Sequence, residues 1–231
     1  MKIAWGNHFR EVLQIFFPNF CLACGHSLSF EQEFICIECL HTLPFTHYWN
    51  IRDNAMEKHL WGRFAFERAV ALFHFEKSSG VQSLLHELKY RNEKELGVFL
   101  GQMLAEKWKH SLEDKFDWVI PVPLHPQKER ARGYNQSMQF AQGLAQVFGC
   151  MASSEFLIRT QPTESQTRKN LFQRLDNVSS VFALQQADVL ENKHVLLVDD
   201  VLTTGATIEA CAVQLNKVSN LKLSIATIAA A

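Results

Sequence analysis

The chain has 231 residues, of which 47% are hydrophobic and 20% charged, and a formal net charge of −1. This length suits one medium domain plus a small module, and the composition excludes bulk disorder. The near-zero charge excludes a whole-molecule field for nucleic acid, so any such binding must use local patches.

Taken in chain order, Phe9, Val12, Leu13 and Phe16 predict a short amphipathic helix that Pro18 ends. So small an apolar face suits packing on the rest of the protein better than a membrane. Asn7, His8, Arg10, Glu11 and Gln14 interrupt the stretch from Ile3 to Phe20. It therefore reads as neither a signal segment nor a transmembrane segment, and the expected location is cytoplasmic.

Next come Cys21-x2-Cys24 and Cys36-x2-Cys39, separated by eleven residues, with Gly25 after the first pair. Four thiolates at this spacing match a tetrahedral structural Zn²⁺ site, as in a zinc ribbon. Two disulfides would need an oxidising compartment, and a redox centre needs only one CxxC, beside a βαβ pattern. Zinc is therefore the expectation. The module runs from Cys21 to about Leu43, and Pro44 to Gly62 is a connector. His41, His47 and His59 read as surface residues, because four thiolates already fill the tetrahedron. Cys150 and Cys211 are isolated and read as small buried apolar residues.

Ala69 to Phe75 predicts a strand, and Val81, Leu84, Leu85 and Leu88 a helix ending at Lys89-Tyr90. A longer helix, from about Glu93 to His110, would bury Leu96, Phe99, Leu100, Met103 and Leu104. Asp117 to Val122 is a strand, and Gln136 to Val147 a helix with Asn135 as N-cap. Val181 to Leu184, Val195 to Val198 and Leu221 to Ile228 complete the strands, with a helix from Ala206 to Val218. Strands alternating with helices predict an α/β fold, a parallel sheet with flanking helices. Residues 1–60 would hold the N-terminal helix, cysteine module and connector, and residues 61–231 the main domain.

Residues 195–207, VLLVDDVLTTGAT, carry the strongest functional signal. A buried strand, an acidic pair (Asp199, Asp200) and a hydroxyl-rich turn lead into a helix N-terminus. Free N–H groups and the helix dipole suit a phosphate there. Ionised carboxylates only accept hydrogen bonds, which suits the hydroxyls of a ribose. The run resembles the motif of type I phosphoribosyltransferases that binds phosphoribosyl pyrophosphate (PRPP). The resemblance implies that Asp199 and Asp200 hold the ribose hydroxyls. It also implies that Val201, Leu202, Thr203, Thr204, Gly205, Ala206 and Thr207 form the loop around the 5′-phosphate.

Two further segments are basic. Residues 121–136, PVPLHPQKERARGYNQ, bring Lys128, Arg130 and Arg132 against one Glu129, and read as a Pro-rich turn and loop where open α/β folds bind ligands. Asn135 and Gln136 offer amides to phosphate oxygens. Residues 159–178 form a long polar stretch, read as a lid carrying Arg159, Arg168, Lys169 and Arg174 toward a pyrophosphate; for both segments the alternative is a plain solvated surface loop.

The four-cysteine module, Leu88-Lys89-Tyr90, PVPLHP…RGYNQ, SQT…R…NV and VLLVDDVLTTGAT together resemble the ComF family, which includes a GntX-like branch. Lys169-Asn170 and Gln173 depart from the usual pattern, which touches the lid contacts only. The resemblance implies a cytosolic protein of natural competence (DNA uptake and transformation) that handles incoming single-stranded DNA. It also implies competence partners, including a helicase-like motor. The alternative is an active phosphoribosyltransferase (a pentosyltransferase) that moves ribose 5-phosphate from PRPP, with Mg²⁺, to a nitrogen acceptor. Asp199, Asp200, Arg132, Arg168 and Lys169 would be its catalytic groups. Thr203 is a poor general base, so a purine acceptor is disfavoured. Tyr134, Trp49 and Trp61 are candidate stacking platforms, although burial is the commoner fate of a Trp.

Overall fold

The computed structural model describes residues 19–112, 115–160 and 181–231. The sequence-predicted helix before Pro18 and the stretch holding Arg168, Lys169 and Arg174 lie outside the described residues.

The central sheet orders β1 (Arg68–His74), β7 (Lys222–Ala230), β6 (His194–Leu202), β2 (Trp118–Pro121) and β3 (Met151–Ala152), all parallel. Its strands are apolar on both faces because helices cover both. Val70, Leu72, Leu196, Val198 and Ile228 pack under α3 (Gly80–Tyr90), α4 (Lys94–Trp108) and α6 (Gln136–Phe148). The alternate residues Ala69, Ala71, Val195, Leu197 and Ile225 pack with α2 (Ala55–Leu60) and α7 (Ala206–Leu215). The outer edge of β1 is covered by the connector, where His74 N–H donates to Pro44 O at 2.8 Å and Thr46 N–H donates to Leu72 O at 3.1 Å.

β2 leads through α6 to β3 on one side, whereas its neighbour β6 leads through α7 to β7 on the other. The crevice at the carboxyl ends of β2 and β6 is therefore a topological switch point, the usual ligand position in an open α/β sheet.

The structure corrects the sequence reading in several places. Residues 126–132 are not loop but a short helix, α5 (Pro126–Arg132), with Pro126 in its first turn, His125 as N-cap and Gly133 closing it. The connector contains α2, set by a reciprocal cap between Asn54 and Glu57. Phe182–Leu184 does form a strand, β5, but it pairs antiparallel with β4 (Leu157–Arg159) outside the main sheet. The helix after Gly205 stops at Leu215, short of Val218. In α4 the buried residues include Gly97, Gly101, Ala105 and Trp108, whereas Phe99 and Met103 are only half-buried. Cys150 is half-buried rather than buried, while Cys211 is fully buried. His41, His47 and His59 are exposed.

The reason for α4's different face is a backbone-to-backbone contact. A Cβ at Gly143 would sit 2.0 Å from Val98 O, and one at Gly101 2.3 Å from Phe140 O. The two helices thus meet without side chains between them, and α6 is held down at the angle that aims its N-terminus at β6.

Candidate functional site

β6 runs further than its apolar core predicts, pairing with β7 through Leu202. The acidic pair therefore lies within the strand rather than after it. Alternation puts Asp200 on the face of Leu196 and Val198, where α6 and α3 meet it. Lys89 Nζ approaches Asp200 Oδ2 at 2.8 Å, and Gln136 Nε2 donates to the same oxygen at 2.9 Å. Asp199 accepts hydrogen bonds from Ser137 Oγ at 3.0 Å and from Asp200 N–H at 2.8 Å. Burial, then the neighbouring Asp200 carboxylate, pushes the Asp199 carboxyl up to about 7, against these hydrogen bonds and the Lys89 charge.

The turn that follows has Thr203 and Thr204 exposed, then Gly205 in the left-handed region at φ 76° as the N-cap of α7. Gly205 brings no side-chain cap, and Ala206 N–H finds only a long 3.5 Å contact with Thr204 Oγ1. This exposed helix start lies where the sequence predicts an anion-binding end.

An open cleft of about 270 Å³ joins these parts, its wall including Lys89, Tyr90, Lys128, Arg132, Gln136, Ser137, Arg159, Asp199, Asp200 and Thr207. Two carboxylates thus face four cationic side chains across it. Arg132 lies 5.8 Å from the exposed ring of Tyr90 and hydrogen-bonds Gln136. The sequence-predicted groups that meet here are Asp199, Asp200, Arg132, Lys128, Arg159 and Thr207. Arg130 is exposed on α5 but does not line the cleft. Asn135 and Gln136 do not present free amides to it: Asn135 Nδ2 donates to Val122 O at 3.0 Å, and Gln136 serves Asp200. Tyr134 is buried, its hydroxyl donating to Leu88 O, and Trp49 is buried too, so neither is a stacking platform. Trp61 is exposed.

Sequence reasoning placed neither Lys89 nor Ser137 in the site. Lys89 sits at the last turn of an otherwise apolar-faced helix, and only the packing of α3 on β6 turns it onto Asp200. Ser137 follows the Asn135 cap, a signal that marks the helix start and hence a residue directed at the crevice.

At the other end, the sulfurs of Cys21, Cys24, Cys36 and Cys39 lie within 4.8 Å of one another, and all four are free thiols. Cys24 Sγ and Cys36 Sγ are 3.7 Å apart. A tetrahedral ion with metal–sulfur bonds of about 2.3 Å needs sulfur–sulfur edges of roughly 3.8 Å. Cys36 N–H donates to Cys21 Sγ at 3.3 Å, a bond that suits a thiolate. The donor set thus fits a metal ion such as zinc.

Residues 135–231 match the phosphoribosyl transferase domain. With the parallel sheet and the β6–α7 turn, this defines a type I phosphoribosyltransferase fold, preceded by a four-cysteine module. The chain is similar to the DNA utilization protein YhgH of Shigella flexneri, 31% identical over 207 residues that cover 83% of this chain and 88% of that one. It is also similar to Competence protein F of Haemophilus influenzae, 24% identical over 219 residues (89% and 91% covered). Competence protein ComFC of Bacillus subtilis is 27% identical over 205 residues (88% and 74% covered). Among solved structures, adenine phosphoribosyltransferase from Leishmania tarentolae superposes with a TM-score of 0.38 at 14% identity, covering 78% of this chain and 89% of that one. The chain belongs to the ComF family.

Proposed function

We propose that this protein binds PRPP, or a related phosphoribosyl ligand, in the β2–β6 cleft and acts in natural competence on incoming single-stranded DNA. The observation that supports it most is the juxtaposition of Asp199 and Asp200 with Lys89, Arg132 and Arg159 beside the start of α7. In this reading the ribose hydroxyls donate to Asp199 and Asp200, and Val201 to Thr207 form the 5′-phosphate loop. Lys89 and Arg132 meet the pyrophosphate, joined by Arg168 and Lys169. Residues 61–231 carry this unit, and residues 1–60 the connector and a structural zinc site on Cys21, Cys24, Cys36 and Cys39. Among the described residues, Asp199 and Asp200 are the only acidic ones lining the cleft, and both already accept hydrogen bonds. Mg²⁺ therefore fits as an ion carried by the ligand's phosphates, supplying charge neutralisation to the leaving group.

Changing Asp199 and Asp200 together to Asn removes the acceptor charges. Calorimetry should then show PRPP weakened more than inorganic phosphate. Equal PRPP affinity in the two proteins would exclude the site.

DNA contact rests on local charge. Lys128, Arg130 and Arg132 share one short helix, and Tyr90, which Arg132 approaches, and Trp61 are exposed rings available to stack bases. Four to six phosphate contacts give a slope of log affinity against log salt of roughly −3 to −4. Neutralising Arg130 and Arg132 should lower affinity and slope in anisotropy titrations, and PRPP should compete. An unchanged slope would assign the competence role to partner proteins, including the helicase-like motor that family resemblance suggests. Among the described residues no helix is long and apolar enough to cross a membrane.

The second reading is transfer. A nitrogen acceptor would attack C1 of PRPP, forming the N–C bond as the C1–O bond to pyrophosphate breaks, with the proton lost from nitrogen. The cleft favours this by positioning and by charge on the leaving group. Thr203 offers no base. Pyrophosphate release across candidate bases, with and without single-stranded DNA, separates the two readings.

A further inference from the structure

We infer that Arg63, outside every motif of the family pattern, is a positioning residue for the phosphate-binding turn. The inference rests on the PRPP reading of that turn. Arg63 lies between α2 and β1, some 141 positions from its partner Thr204. Nη1 donates to Thr204 O at 2.6 Å. Nε and Nη2 both donate to Glu209 Oε2 in the first turn of α7, at 2.9 and 2.5 Å. A Cβ on residue 205 would lie 2.7 Å from Nη1. Gly205 is required for its positive φ, and a side chain there would also push the guanidinium aside. His59 Nε2 adds a contact to Thr204 O at 3.3 Å.

The consequence follows from the planar trans peptide, whose C=O and N–H point in opposite directions. Pinning Thr204 O to the connector fixes the Gly205 N–H on the opposite side of the same peptide unit. Glu209 neutralises the guanidinium, so Arg63 acts on the turn by geometry and not as a ligand charge. A surface pair of this exposure adds little to global stability, so its effect is local.

Arg63→Gln, Arg63→Lys and Glu209→Gln test this in the full chain by amide hydrogen exchange of residues 203–207 and by calorimetry with ribose 5-phosphate and pyrophosphate. Arg63→Gln should speed exchange in the turn and weaken ribose 5-phosphate about tenfold. Pyrophosphate, bound on the Lys89 side, should keep its affinity, and Arg63→Lys should restore part of the loss by keeping a donor to Thr204 O. Should Arg63→Gln fail to fold, Glu209→Gln, which weakens the charge-assisted hold on Nε and Nη2, is read in the same direction. Unchanged exchange and affinity, or equal loss of both ligands, overturns the inference. Faster exchange in a protein whose wild type binds no ribose 5-phosphate would overturn the PRPP reading and leave the clamp standing.

Discussion

Asp199 is the residue where stability and binding oppose each other. Its carboxyl, ordinarily near 3.8, is raised to about 7 by burial and by Asp200. Between those values the folded protein holds a proton that the unfolded chain has lost, so stability falls as pH rises. The contribution is greatest below the unfolded value and gone above the folded one. Asp199→Asn should abolish this pH dependence, because an amide oxygen still accepts from Ser137 Oγ without a charge. Melting temperatures of the two proteins should converge near pH 4 and diverge toward pH 8, with the variant the more stable. Parallel curves would show that the carboxyl is ionised throughout. An ionised carboxylate accepts a ribose hydroxyl more strongly than a neutral one, so PRPP should bind more tightly as pH rises through 7. The ligand-free fold thus keeps an unfavourable charge in place for the ligand.

At the scale of elements, the contact between α4 and α6 decides whether the site is assembled. These helices approach through Gly97, Gly101 and Gly143, and the neighbouring atoms at the latter two are backbone, which cannot swing aside. Gly143→Ala should therefore cost about 1–3 kcal/mol or more, the range for overpacking. Urea unfolding measures it, and a cost under about 0.5 kcal/mol, typical of an unconstrained surface site, would contradict the geometry. Because α6 begins at Gln136 and Ser137, the groups that order the acidic pair, the same substitution should weaken PRPP. β6 makes the same point from the other side. Its apolar run predicts its start, while its end is set by β7, whose pairing carries the strand past both aspartates.

At the scale of the whole molecule, the cysteine module is part of the same core as the sheet. Cys21, Leu28, Ile35 and Cys36 pack in one cluster with Val81, Leu84 and Leu85 of α3. The Phe34 and Phe99 rings lie 5.3 Å apart. Metal loss should therefore reach α3, whose last turn holds Lys89 against Asp200. Chelation is expected to release one zinc per chain, to lower the melting temperature and to weaken PRPP, read by metal analysis, scanning calorimetry and titration. An unchanged transition after complete zinc loss would show the module to be thermodynamically separate.

The sequence by itself determined the parts whose physics is local. The thiol spacing sets a tetrahedral cluster, the apolar runs set buried strands, and DDVLTTGAT sets an acidic pair before a glycine-started helix. Caps were legible as well: Asn135 starts α6 as its chemistry predicts, accepting from Ser137 N–H at 3.0 Å. The α5 and α2 helices carried legible caps too, Pro126 with Gly133 and Asn54 with Glu57, yet their lengths of 7 and 6 residues leave almost no hydrophobic period to read. Only the tertiary structure decided which polar groups meet. Lys89 with Asp200, Arg63 with Thr204 and Tyr134 with Leu88 O are contacts between residues 46 to 141 positions apart. Such partners depend on strand order and helix crossing, which close-packed backbones set and no local pattern encodes. The exposed ring therefore falls at Tyr90 and the buried one at Tyr134, although each stands within two residues of a basic one in the chain.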